Sequence, residues 1–489
     1  MQSKQIRNLK IYNLISCIII SAIIFFIYNN VSFLNDLLGH LSVNISFSKP
    51  SCKEEGFIFC RPPFIKFLYY FLNNFISIDL LIFLQIFFFV LTTFLIKFQL
   101  IKLKLNKWIV NLIYLIILIN PKILKYSFST VEESFYIPVL LLIISLSIKF
   151  ILKKNLKNLI YLNLAFSLLV LIKPAGIIFY FIVILMNISY LIKIDNKTYK
   201  KKLIFFFMFF LILISPMLIT KKLNNYVESG NKNNNYFSIQ ALGSLISKQK
   251  IISKYNKDDN LLQFIDNRIV KLNNIREIKK LDIIQNLHLE CVIYPAMNNP
   301  IYDDPDVLDF FKKNYSKNLD KKLFVLYVKN LFKNPNHFLL KFNQCFFANF
   351  LMVSVLSENE FKDIKQISMN PIFTNNDKSI ISSLERNVKN YSNVIGPVRA
   401  ISVSIFVITI VSIIISIRSL ITNKNDKFAL LSILFFCMYY LVINLHVNLI
   451  LVQTRWFFTY SPLLIFSNLK IIELLNLFFT KSNYLNLKK

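Results

Sequence analysis

Glu133-Ser134-Phe135-Tyr136-Ile137-Pro138-Val139-Leu140-Leu141-Leu142-Ile143-Ile144-Ser145-Leu146-Ser147-Ile148 opens on an acid and then carries no charge until Lys149. A helix rises 1.5 Å per residue, so roughly 17–25 apolar residues cross the hydrocarbon of a bilayer. This run approaches that length, and it is not alone. Similar stretches lie at about 11–28, 79–96, 108–120, 158–173, 175–192 and 203–220, and again at 397–418, 428–450 and 456–478. Soluble chains do not repeat such runs, which predicts an all-α, polytopic membrane protein with about ten transmembrane helices.

The totals agree. The chain has 489 residues, 55% of them hydrophobic, and a mean hydropathy of +0.52. Its 49 Phe and 23 Tyr against only 6 Gly, with many Ile, Asn and Lys, fit the codon bias of an AT-rich genome. Phe counts and Asn runs are therefore not read as functional signals. The net charge of +31 would suit a nucleic-acid binder, but the lysines sit in short turns between spans and along one long loop. They are not interleaved with aromatics in a soluble domain, which excludes nucleic acid and favours phosphate-bearing lipids as the counter-charge.

Those turns also orient the chain. Lys97, Lys102, Lys104 and Lys107 mark one, and Lys149, Lys153, Lys154 and Lys157 the next on the same side. Lys193, Lys197, Lys200, Lys201 and Lys202, then Arg418, Lys424 and Lys427, then the tail Lys488-Lys489 complete the set. Ten spans bring all of them to the cytoplasmic face of a cytoplasmic membrane, with both termini. The N-terminal run at 11–28 lacks a small-residue cleavage site and is read as a retained span.

Three domains follow. Residues 1–220 form a transmembrane module whose first outer loop is 29–79, residues 221–396 an extracytoplasmic helical region, and residues 397–489 the closing transmembrane helices. The stretch 334–356 contains Lys341, Asn343, Gln344 and Asn349 and is too polar for a comfortable span, so it reads as an interfacial helix. Residues 64–75 are a second candidate for that role. Of six cysteines, Cys17 and Cys437 fall in apolar runs as packed side chains. Cys52 and Cys60 are either bridged across a short outer lid or two unrelated thiols. No CxxC or Cys/His cluster suggests zinc.

Several polar residues fall at the outer membrane surface. Asp36 lies two helical turns beyond the first span, a depth that suits a general base; the bland reading is a solvated loop acid or the cap of a helix beginning at Leu37. Cys60-Arg61-Pro62-Pro63-Phe64 closes the same loop, which also holds His40. Asn120-Pro121 leads to Glu132-Glu133 at the head of a span, where two acids are costly unless they face water, a cation or a substrate. Lys173-Pro174-Ala175-Gly176 is either a tight hairpin or the turn that presents a cation outward. Gln453-Thr454-Arg455-Trp456 offers a guanidinium able to hold two phosphate oxygens, beside a Trp that also serves as an interface anchor. His446 lies within a span and reads as packed.

Taken in that order, these motifs resemble the polytopic lipid-linked-sugar glycosyltransferases of the GT-C fold, such as the protein O-mannosyltransferases and the lipid A aminoarabinose transferases. The resemblance implies an inverting transferase that moves a sugar from a polyprenyl-phosphate donor to a glycolipid, polysaccharide or protein acceptor on the extracytoplasmic face. It implies Asp36 as general base, Glu133 as an auxiliary acid, and Arg61, Lys173 and Arg455 as phosphate ligands, with Glu132 and His40 lining the substrate. No nucleotide cofactor is implied. Glu132 and Glu133 either simply face the outer water layer, bond to the Asp36 loop or share a divalent metal ion with it. Two rivals stand beside this reading. A polysaccharide polymerase or ligase acting on lipid-diphosphate-linked chains would rely on outer arginines such as Arg268 or Arg276. A lipid-sugar flippase would carry charges deep in its spans.

Overall fold

The computed structural model describes residues 2–30, 63–127, 132–193, 199–226, 282–293, 335–352, 375–449 and 454–486, with positions 325, 329, 332 and 360. Every regular element among them is helical. Helix α1 covers Gln2–Asn30, α2 Pro63–Asn73, α3 Ile78–Lys102, α4 Lys107–Leu118 and α5 Pro121–Ser127. Then come α6 (Glu133–Leu152), α7 (Leu156–Ile172), a 3-10 turn at Pro174–Phe179, α8 (Tyr180–Lys193) and α9 (Tyr199–Tyr226). Helix α10 (Ile283–His288) runs into a π turn at Leu289–Ile293, and α11 is Pro335–Phe350. The chain closes with α12 (Asn375–Thr422), α13 (Lys427–Leu449), α14 (Thr454–Phe466) and α15 (Leu469–Asn486).

Local sequence explains where these helices begin. Ser77 Oγ accepts the Leu80 amide at the head of α3, and Asn106 Oδ1 accepts the Trp108 amide at the head of α4. Asn155 caps α7 by accepting from Asn158 at 2.9 Å. Asp426 caps α13 by accepting from Phe428 and Ala429, each at 3.0 Å. Each cap satisfies an amide that the first helical turn leaves unpaired. Helix α3 stops at a turn in which Lys104 takes φ 65°, a conformation that side chains rarely adopt.

Among the described residues, four helices are long and apolar enough to cross a membrane: Ile78–Lys102, Glu133–Leu152, Ile395–Thr422 and Lys427–Asn444. The pair Thr459–Phe466 and Leu469–Phe478, bent by 50°, makes a fifth if it is one span. Five further apolar helices occupy the other expected stretches but are shorter: Tyr12–Phe26, Lys107–Leu118, Leu156–Ile172, Gly176–Ile192 and Phe209–Thr220. Apolar helices therefore stand at all ten expected places, but four or five of them, not ten, have full spanning length.

Helix α6 is the central post. Of its apolar window 72% is buried, against 22% for that of α12. It packs on α3 and α7, while α1 and α4 pack on α3 and α9 packs on α7. On the other side α13 gathers α12, α14 and α15, and it meets the first group at the 3-10 turn and at α6. The bend between α14 and α15 is held by α12. Ser412 Oγ donates to the Ser467 carbonyl at 3.0 Å, and Asn468 Nδ2 donates to Thr409 Oγ1 at 2.9 Å. These side chains satisfy backbone and amide groups that a break in an apolar helix would otherwise expose.

Helix polarity sorts the charges. Gln85, in the second turn of α3, and Ser134, in the first turn of α6, share the hydroxyl of Tyr69 as a partner. Helices α3 and α6 therefore run the same way, and both end at lysines: Lys97, Lys102 and Lys104 on one, Lys149, Lys153 and Lys154 on the other. Helix α12 ends at the same side, where Ser419 bonds to Asp426. Helix α15 also reaches it, since Asn476 Oδ1 accepts the Asn106 amide at 2.8 Å. The lysine turns at 97–107, 149–157 and 418–427 thus lie at one end of the bundle, and Glu133 and Lys173 at the other.

The expected interfacial helix at 334–356 is α11, and the structure gives its inner face protein to rest on. Phe346 and Phe350 are buried against Phe406 of α12 and Tyr439 of α13, with ring centroids 4.5–6.4 Å apart. Asn343 Oδ1 accepts the Tyr440 hydroxyl at 2.7 Å. Leu339, Leu340 and Phe347 face outward. Asn343, one of the polar residues that made it a poor span, is part of the seat.

Candidate functional site

The first turn of α6 is where four separate parts of the chain meet. Glu133 sits at the positive end of the helix dipole, a favourable place for a carboxylate. Glu132, the half-buried residue before it, makes no side-chain cap bond. Lys173 approaches from the end of α7. It precedes Pro174, which disfavours helical geometry, so α7 stops at Ile172 and Lys173 is extended at φ −144°, ψ 115°. The Gly176 amide then donates to the Lys173 carbonyl at 2.9 Å. A Cβ on Gly176 would lie 3.2–3.3 Å from the backbone of Leu169 and Val170, so a side chain there would press on this close turn.

The result is an ion pair of 2.9 Å between Lys173 Nζ and Glu133 Oε1, with side chains 12% and 10% exposed. The Lys173 ammonium also lies 5.7 Å from the ring centre of Tyr136, one turn further along α6. On one flank Ser134 and Tyr69 share a hydrogen bond of 2.6 Å, and Gln85 Nε2 donates to Tyr69 at 2.7 Å. Burial pushes the Tyr69 phenol well above its ordinary range, and the nearby Glu133 and Glu132 charges push the same way, so it works as a neutral hydroxyl. Gln85 Oε1 is buried without a hydrogen-bond partner. On the other flank the hydroxyls of Tyr136 and Tyr460 lie 3.4 Å apart, and Tyr460 reaches His446 Nε2 at 3.3 Å. His446 Nδ1 lies 2.8 Å from the Val442 carbonyl, which calls for an N–H there.

The site therefore draws on α2, α3, α6, the turn after α7, α13 and α14. Of the residues singled out in the sequence, it unites Glu133 and Lys173, with Glu132 beside them. Arg455 lies in the first turn of α14, five residues before Tyr460. Asp36, His40, Arg61 and the Cys52/Cys60 pair lie outside the described residues, as do Arg268 and Arg276. Among the described residues no three His, Cys, Asp or Glu side chains gather to hold a metal ion.

Other pairings had no sequence signal of their own. Tyr69, Gln85, Tyr136 and Tyr460 are ordinary members of apolar runs, and only their mutual contacts distinguish them. Arg399 on α12 binds Glu360 through two hydrogen bonds of 2.7 and 3.2 Å. Cys291 and Cys345 form a disulfide across 54 residues. At the lysine end, Lys470 Nζ binds Asp426 Oδ2 at 2.5 Å and Glu473 Oε2 at 2.6 Å.

No family model, characterised protein or solved structure matches the chain.

Proposed function

We propose that this chain is an inverting glycosyltransferase that takes a sugar from a polyprenyl-phosphate donor at the Lys173 end of the bundle. In this reading ten helices cross the cytoplasmic membrane, both termini are inside, and the Lys173 end faces away from the cytoplasm. The collection of lysine turns at the opposite end supports that orientation, because cationic turns stay on the cytoplasmic side.

The observation that carries the reading is the buried Glu133–Lys173 pair. An ion pair at this depth stabilises a fold little better than packed apolar residues of the same size, and in this reading it also holds a cation ready for the donor phosphate. Lysine has three N–H donors, and Glu133 Oε1 takes one of them. A phosphate oxygen arriving from the bilayer can share or displace that carboxylate. Arg455, a few residues before Tyr460 on α14, and Arg61, two residues before α2, are the further cations of the reading.

The acceptor hydroxyl oxygen forms a bond to the anomeric carbon from the side opposite the phosphate. The bond between that carbon and the phosphate oxygen breaks, and its electron pair leaves on the lipid phosphate. Asp36 takes the hydroxyl proton as general base. The cations stabilise the charge that develops on the leaving phosphate, where a low dielectric makes each hydrogen bond strong. Glu133 keeps Lys173 aimed when the site is empty. Gln85 Oε1, an open acceptor, supports the same reading as a place for a donated hydroxyl.

The test is transfer of labelled sugar from polyprenyl-phosphate donors by membranes carrying equal amounts of wild type, Asp36→Asn or Lys173→Met. Loss of more than 100-fold in both variants is the expected result. Full activity in both overturns the reading. Transfer from polyprenyl-diphosphate glycans alone would replace it with the polymerase or ligase.

A further inference from the structure

The disulfide closes a ring of outer helices. Cys291, in the π turn after α10, and Cys345, on α11, are bonded with Cα atoms 5.6 Å apart, and both side chains are buried. From α11 the ring continues through Phe346 and Phe350 to Phe406 on α12. Also on α12, Arg399 holds Glu360, whose carbonyl accepts from Gln285 Nε2 at 3.3 Å, and Gln285 belongs to α10. Every link but one is non-covalent. Tyr440, which holds Asn343 of α11, lies 14 residues along α13 from Asp426, or about 21 Å from the lysine end. The ring is therefore displaced toward the Lys173 end.

We propose that Cys291 and Cys345 are a covalent modification site: a disulfide made on the non-cytoplasmic face that clamps α10 to α11 and so keeps α11 seated on α12 and α13. Cytosolic thiols stay reduced, so the bond places this ring in an oxidising compartment, independently of the charge pattern. The two thiols give up two protons and two electrons to a disulfide-carrying oxidoreductase, whose own disulfide leaves as a dithiol. Burial then shields the bond from soluble reductants while α11 is docked. The proposal does not rest on sugar transfer.

The experiment counts cysteines in SDS-denatured membranes by the gel shift from a maleimide-polyethylene glycol reagent, so no variant has to fold. Without reductant, wild type and C291S/C345S should carry equal numbers of labels, and C291S one more than wild type. After a phosphine reductant, wild type should carry two more than C291S/C345S. An unreduced wild type that already carries two more overturns the bond. The clamp is then read from thermal unfolding in detergent. The midpoint of C291S/C345S should fall several degrees below wild type, and an unchanged midpoint overturns the clamp.

Discussion

Two buried lysines face carboxylates at opposite ends of this bundle, and they are not equivalent. Lys470 joins Asp426 and Glu473, while Lys173 meets Glu133. Asp426 is fully used by the fold: it caps α13, accepts from Ser419 on α12 and ties down α15 through Lys470. Glu133 binds a lysine held in an extended residue before a proline. The same chemistry therefore serves as a rivet at one end, and at the other stands beside tyrosines, a serine and an open glutamine oxygen. His446 lies on α13, 20 residues or about 30 Å beyond the Asp426 that caps it, so the two pairs are separated by roughly one bilayer thickness.

The contrast is sharpest in substitutions of the two lysines. Lys470→Met leaves two acids without their shared cation and should cost about 3–5 kcal/mol, read as a fall in the unfolding midpoint. Sugar transfer, measured where the protein stays folded, should be unchanged. Lys173→Met should cost a similar amount, but pairing it with Glu133→Gln should recover most of the stability and none of the transfer. Recovery of transfer in that double variant would make the outer pair another rivet.

Acid separates the ends next. Burial opposes the Asp426 carboxylate, but the bonds from Lys470, Ser419 and the Ala429 amide outweigh it and hold its pKa below the ordinary carboxylate range. A depressed pKa stabilises the fold above the unfolded value, near 4 for Asp, and that contribution disappears as pH falls through the folded value. The wild-type midpoint should drop below pH ~4, and Asp426→Asn should flatten that limb while keeping a capping oxygen. A limb that is unaltered in the variant would remove Asp426 from the account of acid stability.

The smallest effect is expected at the turn behind Lys173. Gly176→Ala places a methyl group against the Leu169 and Val170 backbone and should cost about 1–3 kcal/mol, the usual range for overpacking. Because the same turn sets Lys173, transfer should fall more than stability does. An equal loss in Ala165→Gly, a buried α7 position away from the turn, would make the effect general.

Apolar runs and lysine turns were legible in order. Each expected span coincides with an apolar helix, although only four or five have full length. At the candidate site, Glu132, Glu133 and Lys173 stood out as charges at the edges of apolar runs. Their neighbours Tyr69, Gln85, Tyr136 and Tyr460 did not, because a tyrosine within an apolar run looks the same whether its hydroxyl is bonded or not. The cysteines show the same limit: the bond between Cys291 and Cys345, 54 residues apart, had no sequence signal.

What the sequence determined by itself was therefore local: which segments are helices and which turns carry cations, since hydropathy and charge act within a few residues. Only the tertiary structure decided that Lys173 meets Glu133 across 40 residues, that Tyr69 meets Ser134 across 65 and that Cys291 meets Cys345 across 54. Those pairs depend on how whole helices pack, and packing is settled by summed contact over many side chains rather than by any residue that could be read alone.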